Sequence, residues 1–174
     1  MELFEAIRGR RSVRSFSEGD LPIQDLRVIL EAAICAPSAG NLQSWEFVIV
    51  RNDDRKAALA EAAYDQDFIA EASVVIVVCA NMARSARRYR DRGATLYSIQ
   101  DTAAAIQNIL LTSFALGYGS CWVGAFDEGK AARLVRAPPE TRPVAIIPIG
   151  RPAESPDPRP RISLDKVMHF ETFT

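Results

Sequence analysis

Apolar residues recur along this chain with helical spacing in some stretches and as compact β-branched runs in others. Helical spacing predicts a short helix over residues 2–9 and a second that begins near Asp20–Pro22 and ends at Ala36–Pro37. The second helix has to stop there because the residue before a proline avoids the α region. Further helices or helical turns are predicted over 53–63, 67–71, 96–116 and 128–136, and strands over 45–50, 73–79, 120–124 and 143–149.

The second half of the longest predicted helix is apolar around most of its circumference. Ten of the fifteen residues from Thr102 to Leu116 are apolar. A helix of this kind is buried on several sides, whereas one small sheet covers only one side. We therefore expect this helix to pack at or beside the two-fold axis of a homodimer.

The C-terminal end differs in composition from the rest of the chain. Eight of the ten prolines lie between 138 and 160, so residues 151–161 are expected to form an extended arm without helix. No internal repeat or domain boundary interrupts the sequence, and its length suits one domain over residues 1–174. The alternation of helices and strands predicts an α+β fold in which helices cover a central sheet.

Overall composition is that of a globular protein, with 48% apolar and 25% charged residues. The formal net charge of −1 argues against a dedicated nucleic-acid-binding protein. The three cysteines are far apart and flanked by apolar residues, which is typical of reduced cysteines in a cytoplasmic protein. The first residues lack the apolar core of a signal peptide, and the apolar run over 72–80 is too short to span a bilayer, so no membrane association is predicted.

A cluster of basic residues near the N-terminus is the strongest candidate for a binding site. Arg8, Arg10, Arg11 and Arg14 fall within seven residues, together with the hydroxyl of Ser12. Guanidinium groups bind phosphate oxygens bidentately and a hydroxyl adds one more donor, so the cluster suits a phosphate group. The alternative is a solvated helix end, where cations interact favourably with the helix dipole.

A second basic stretch, residues 84–92, carries five arginines. Runs of like charge are usually solvated, so one interpretation is an exposed helix or loop. The other interpretation, a second anion site, stays open on the sequence.

The recognised motifs for protein-based catalysis and metal binding do not occur in this sequence. The only histidine, His169, lies five residues from the end in a segment expected to be exposed. No nucleophile elbow, zinc-protease, paired-cysteine or P-loop motif is present. If the protein is an enzyme, its chemistry is expected to come from a cofactor, with no metal and no catalytic side chain.

Four separate segments resemble the FMN-dependent nitroreductase family, and in order they cover nearly the whole chain. They are Arg10–Phe16; Ala36–Trp45, similar to the family's Pro-Ser-x-x-Asn-x-Gln-Pro-Trp; Gln100–Asn108 with Gly117–Asp127; and Ile149–Pro152 with Pro158–Arg161. The resemblance implies a nitroreductase-like α+β fold with a central mixed, mostly antiparallel sheet covered by helices. It also implies a homodimer with two FMN sites at the subunit interface, and an extended arm over 150–174 that embraces the partner.

The resemblance further implies which residues bind FMN. Its phosphate and ribityl chain would contact Arg10, Arg11, Ser12 and Arg14, with Arg159 and Arg161 returning from the arm. The partner subunit would place Pro37, Ser38, Ala39 and Asn41 on the flavin, while Trp122, Val123, Gly124 and Ala125 would line the isoalloxazine with a backbone N–H directed at its N5. Gln66 is a candidate for the polar edge of the ring. From the residues alone, two other interpretations stay open. The segment over 37–41 can be only a helix stop and turn, and Trp122 can be a core residue.

The implied activity is hydride transfer from NADH or NADPH to flavin N5, followed by reduction of a nitroaromatic, a quinone or a similar small acceptor. The alternatives are a same-fold enzyme for dehalogenation or flavin breakdown, a non-catalytic flavin-binding protein, and an arginine-rich phosphate or nucleic-acid module. Two departures from the family pattern concern the pocket. Ser44 stands where proline is frequent, which predicts a less rigid loop, and no long helical insertion follows Val78, which predicts a more open pocket.

Overall fold

The computed structural model describes residues 1–173, which form a five-stranded sheet with helices on both faces. The strands are β1 (Phe16–Ser17), β2 (Trp45–Val50), β3 (Val74–Asn81), β4 (Gly119–Ser120) and β5 (Thr141–Pro152). Their order is β1-β5-β3-β2, and β4 also pairs with β5. Every pairing between these strands is antiparallel, and a parallel bridge joins Ser12 to Ser120. The predicted α+β architecture is thereby confirmed.

The central strand explains why the sheet forms where it does. β3 is buried along seven of its eight residues because it lies between β2 and β5 and is covered on both faces. Its β-branched run suits a strand with two buried faces. Ile76 and Val78 pack into one core cluster, whereas Val75 and Val77 pack into the other.

Seven helices surround the sheet in the described part of the chain. They are α1 (Leu3–Gly9), α2 (Ile23–Ile34), α3 (Asp53–Ala62), α4 (Phe68–Glu71), α5 (Met82–Arg92), α6 (Ser98–Ala115) and α7 (Glu128–Val135). Residues of α2 and α6 cover one face of the sheet, and residues of α3, α4 and α7 cover the other. Asp127 caps α7, since its side chain accepts from the N–H of Lys130. None of the described helices is both long enough and apolar enough to cross a membrane.

The junction between α5 and α6 is the least regular part of the fold. A π-helical turn over Gly93–Tyr97 joins the two helices, and Arg90 has φ 49° and ψ −137° inside α5. Such a conformation costs on the order of 1–3 kcal/mol for a residue with a side chain. A Cβ on Gly93 would lie 2.5 Å from the carbonyl oxygen of Ser85, so only glycine permits this close backbone contact. The prediction of a continuous helix from residue 96 missed this junction.

The C-terminal arm leaves the sheet after β5 and remains exposed. Residues 151–161 contain no helix, as predicted, and a single 3₁₀ turn follows at Leu164–Lys166. Beyond residue 161 the arm is unexpectedly apolar, and its large side chains are exposed; they are Ile162, Leu164, Val167, Met168, Phe170 and Phe173. The apolar side of α1 is also exposed, at Leu3, Phe4 and Ile7. These surfaces are suited to burial against another chain.

Candidate cofactor-binding site

A cavity of about 440 Å³ lies between the N-terminal segment and the C-terminal arm. It is lined by Arg10, Arg11, Ser12, Arg14, Glu154, Pro156, Asp157, Arg159 and Arg161. All six residues predicted to hold a phosphate therefore line the same cavity. The family resemblance implied this arrangement, although Arg14 and Arg159 belong to opposite ends of the chain.

The backbone around the cavity is fixed by the end of α1 and by β4. The ring of Phe114 on α6 packs against Gly9, where α1 ends. The N–H of Val13 then donates to the carbonyl of Ser120 at 3.0 Å. This contact holds residues 10–14 beside the start of β4, so the basic side chains surround a defined space.

The electrostatics of the cavity favour an anion. Burial, followed by the charges of Arg161 and Arg11, lowers the pKa of Arg10. Holding this guanidinium charged therefore costs free energy in the folded chain, and an anion in the cavity would offset that cost. Arg11 donates to the carbonyl oxygens of Arg8 and Arg10, at 2.6 and 2.9 Å, while its buried Nε has no partner among the described residues. The donor set thus fits a phosphate group.

Two carboxylates in the cavity were not predicted from the sequence. Glu154 accepts a hydrogen bond from the backbone N–H of Arg14 at 2.5 Å, and Asp157 lines the same wall. Glu154 thereby occupies the backbone N–H of Arg14, from which a phosphate oxygen in the cavity could otherwise accept. No local motif signals this contact, because it joins residues 140 positions apart in the chain.

The segment after β4 extends from this cavity towards Gln66. Val123 exchanges two backbone hydrogen bonds with Ile146, each 3.0 Å long, so its N–H is not free. The N–H of Gly124 has no acceptor among the described residues, and Gly124 is exposed. The amide of Gln66 donates to the carbonyl of Ala125 at 3.1 Å, which places this predicted edge residue beside the segment.

Trp122 is 39% exposed, so its interpretation as a core residue is wrong. Its indole nitrogen lies 3.9 Å from the position of a Cβ on Gly124. A partly exposed aromatic side chain beside a glycine forms a surface on which a flat ring can lie.

The loop after α2 is held by one buried carboxylate. Asp101 on α6 accepts from the N–H of Ala39 at 2.9 Å and from the hydroxyl of Ser44 at 2.8 Å. Ser44 is fully buried and Asp101 is 4% exposed. The hydroxyl of Ser44 therefore ties the loop to α6, a contact that a proline at this position could not make. The loop itself forms a 3₁₀ turn over Ala39–Asn41, and Pro37 and Asn41 are exposed.

Within one subunit this loop lies far from the arginine-lined cavity. Asp101 holds the loop near the start of α6, and Phe114 contacts Gly9 near its end. At 1.5 Å per residue these two positions on α6 lie ~20 Å apart. The structure therefore does not bring Pro37, Ser38, Ala39 or Asn41 to the cavity of their own chain, which agrees with their predicted role towards a partner.

We predict that Asp101→Ala lowers the free energy of unfolding by ~2–3 kcal/mol, because Ser44 and Ala39 lose their buried acceptor. Asp101→Asn should lose less than half as much, since the Ser44 hydroxyl can reverse and accept from the new amide. Urea unfolding of both variants measures the difference. Equal losses in the two variants would contradict a hydrogen-bonding role for this carboxylate.

Two of the thiols, those of Cys79 and Cys121, are buried, whereas His169 lies in the exposed arm. Burial raises the pKa of Cys79 to about 12, so its thiol stays protonated. Burial also raises the pKa of Cys121, although Arg14, Ser12 and Arg10 act in the opposite direction. The ring of His169 is exposed in the arm, 4.9 Å from the ring of Phe173.

Together, the sheet, the arginine-lined cavity and the separate loop define a protein that binds a phosphate-bearing planar cofactor. The family model described as the nitroreductase family matches residues 7–66 and 62–151. The chain belongs to this family of oxidoreductases.

Named relatives span nearly all of the chain. The chain is 34% identical, over an alignment of 176 residues, to a putative NADH dehydrogenase/NAD(P)H nitroreductase of Methanothermobacter thermautotrophicus. This alignment covers 98% of this chain and 87% of the relative. The chain is also 26% identical, over an alignment of 185 residues, to an FMN reductase [NAD(P)H] of Bacillus subtilis. This alignment covers 99% of this chain and 74% of the relative. The crystal structure of nitroreductase A from Vibrio parahaemolyticus superposes with a TM-score of 0.91 at 25% identity, covering 98% and 76%.

Proposed function

We propose that this protein transfers electrons from NADH or NADPH, through bound FMN, to a nitroaromatic, a quinone or a similar small acceptor. The chain is a flavin-dependent oxidoreductase that uses NAD(P)H, in agreement with its family and with the names of its relatives. The observation that carries the proposal is the cavity that brings four N-terminal site residues together with Arg159 and Arg161. When bound, FMN would supply the hydride-accepting and electron-donating chemistry.

The role proposed for the cavity is to bind the FMN phosphate. Arg10, Arg11, Ser12 and Arg14 would donate from one side, and Arg159 and Arg161 from the arm. A phosphomonoester carries about −1.5 to −2 charges near neutral pH, which the surrounding guanidinium groups would offset. FMN suits this arginine cluster better than FAD, because its phosphate is terminal.

The flavin ring would lie along the segment from Trp122 to Ala125, with Gln66 at its polar edge. Val123 is fixed by its pairing with Ile146 and would support the ring with its backbone. The free N–H of Gly124 is one donor that this segment offers to N5, whereas the N–H of Val123 is already used. A backbone donor stabilises developing negative charge without any change of protonation.

A homodimer would complete the site. Members of the family are generally dimeric and act on small molecules, and the loop over 37–41 lies too far from the cavity of its own subunit to contact the same cofactor. We propose that Pro37, Ser38, Ala39 and Asn41 pack on the flavin bound by the partner. Residues 1–174 would form one domain, with the arm over 150–174 embracing the partner.

Purified protein provides the direct test. Mass analysis of the released ligand should identify FMN, and NADH or NADPH should bleach its absorbance in anaerobic stopped-flow experiments. A nitroaromatic or quinone acceptor should then restore the oxidised spectrum. Bleaching without reoxidation by either acceptor class would favour other flavin chemistry, whereas absence of bleaching would indicate a flavin-binding protein without this activity.

We predict that His169→Ala and Cys121→Ala each keep turnover within about tenfold of wild type, or ~1.4 kcal/mol. His169 is exposed in the arm, and burial keeps the thiol of Cys121 protonated. Turnover is compared at equal FMN content, which separates chemistry from cofactor loss. A loss above a thousandfold in His169→Ala with FMN still bound would reveal an essential proton donor.

A cytoplasmic location is part of the proposal. The three cysteines are free, and two of them, Cys79 and Cys121, are buried. Reduced thiols of this kind suit a reducing compartment. Fractionation of the native cells, with detection by antibody, tests the location.

A further inference from the structure

The function proposed above leaves the basic stretch on α5 without a role. Arg84 is committed to structure, because it pairs with Glu46 and donates to the carbonyl of Gln43. The other four arginines of the stretch are exposed, and none has a carboxylate within ion-pair distance among the described residues; they are Arg87, Arg88, Arg90 and Arg92. The only acidic residue between 82 and 97 is Asp91. This surface therefore carries unbalanced positive charge.

Two of these arginines belong to an ordered cluster with two tyrosines, which we term the Arg–Tyr cluster: Arg88, Tyr89, Arg92 and Tyr97. The guanidinium carbons of Arg88 and Arg92 lie 5.5 and 5.3 Å from the ring centres of Tyr89 and Tyr97. Arg92 also donates from Nε to the hydroxyl of Tyr97 at 2.9 Å. The two rings meet edge to face at 5.1 Å. These contacts restrain side chains that would otherwise be mobile.

The Arg–Tyr cluster touches the loop that is proposed to pack on the flavin. A Cβ on Gly40 would lie 2.7 Å from the hydroxyl oxygen of Tyr89 and 3.1 Å from Nη1 of Arg88. Gly40 has φ 58°, in the middle of that loop. The cluster and the loop therefore form one continuous surface. In the dimer, this surface would border the substrate side of the partner's flavin.

We propose that the Arg–Tyr cluster is a substrate-selecting site that binds the anionic group of an aromatic substrate. The anion is either a carboxylate on the electron acceptor or the 2′-phosphate of NADPH. Arginine suits both because it stays charged and presents a planar fork of donors. The tyrosine rings add an aromatic surface for the ring of the substrate. This proposal rests on the proposed function, since it assumes that the loop lies at the flavin.

The proposal is tested with the FMN-loaded dimer of wild type and of the double variant Arg88→Gln/Arg92→Gln. Arg133→Gln, an exposed arginine on α7, is the matched control. In the acceptor arm, kcat/KM is compared for para-nitrobenzoate and for neutral nitrobenzene, with NADH as donor. In the donor arm, NADPH is compared with NADH, with nitrobenzene as acceptor. Equilibrium titration of each holoprotein with para-nitrobenzoate repeats the comparison without turnover.

In the double variant, we expect the preference for the substrate with the additional anionic group to fall about fivefold in one arm, either para-nitrobenzoate over nitrobenzene or NADPH over NADH, since exposed charge pairs contribute modestly to binding. The arm that changes identifies the source of the anion. Raising the ionic strength should reduce the same ratio in wild type. The control should keep the wild-type ratio in both arms.

Unchanged ratios in both arms, or an equal fall in kcat/KM for the two substrates compared in an arm, would overturn the proposal. An equal fall would mean that the cluster only supports the loop. Failure of the proposed function has a different signature, because wild type would then reduce neither acceptor although FMN is bound. In that case, titration of each holoprotein with para-nitrobenzoate and with NADP⁺ still decides whether the cluster binds a carboxylate or a 2′-phosphate.

Discussion

Alanine at Arg10 is expected to weaken FMN binding about 10- to 100-fold, while the flavin-free protein stays as stable as wild type. The loss of affinity follows from removal of one charge-assisted phosphate contact, worth ~1.5–3 kcal/mol. The apoprotein should tolerate the change because Arg10 is charged at a cost, beside Arg161 and Arg11. Removing that charge relieves repulsion within the empty cavity.

Two measurements separate these effects. Flavin fluorescence titration gives the dissociation constant of FMN, and thermal unfolding of the apoprotein gives its stability. Excess FMN should raise the Tm of wild type more than that of the variant, because the stabilisation by a ligand grows with the ratio of its free concentration to its dissociation constant. Arg133→Ala is the control for loss of an exposed arginine outside the cavity. Unchanged FMN affinity in Arg10→Ala would refute the assignment of the cavity.

Removal of the arm should dissociate the dimer and release FMN together. Truncation after Ala153 keeps all of β5 and the hydrogen bond from the N–H of Ala153 to Ser15. It removes Arg159, Arg161 and the apolar residues beyond 161. Full burial of a large apolar side chain is worth about 1.5–3 kcal/mol, so six exposed ones can raise the dimer dissociation constant by more than about a thousandfold.

A second truncation, after Arg161, tests whether loss of the apolar end of the arm is sufficient for both effects. It keeps Arg159 and Arg161 but lacks the exposed apolar side chains. We expect a weakened dimer and reduced FMN content here as well, because the loop over 37–41 is supplied by the partner. Light scattering and bound-flavin absorbance at micromolar concentration follow both properties. A wild-type monomer that holds stoichiometric FMN would disprove the shared site.

Local pattern was sufficient for several of the regular elements. The strand over Trp45–Val50 has its predicted ends, and β3 lies where the β-branched run predicts it. Asp127 caps α7 as its position indicates. These features depend on side-chain shape and on hydrogen bonds between near neighbours, and both are readable from adjacent residues.

Elements stabilised by distant neighbours were harder to predict. The two-residue strand β1 exists only because Phe16 and Ser17 pair with the end of β5. The π-helical turn before α6 depends on the contact between Gly93 and the backbone of Ser85. Neither feature has a periodic signal, since each is decided by what the rest of the fold places beside it.

For the candidate site, the sequence alone determined the residue types: clustered arginines near the N-terminus, two more in the arm, and a loop rich in small residues. Only the tertiary structure decided that Arg14 and Arg159 line one cavity. It also decided that Asp101 anchors Ser44 and that Tyr89 touches Gly40. The reason is physical: charge and shape belong to each residue, whereas proximity between residues far apart in sequence arises only when the sheet and α6 pack together.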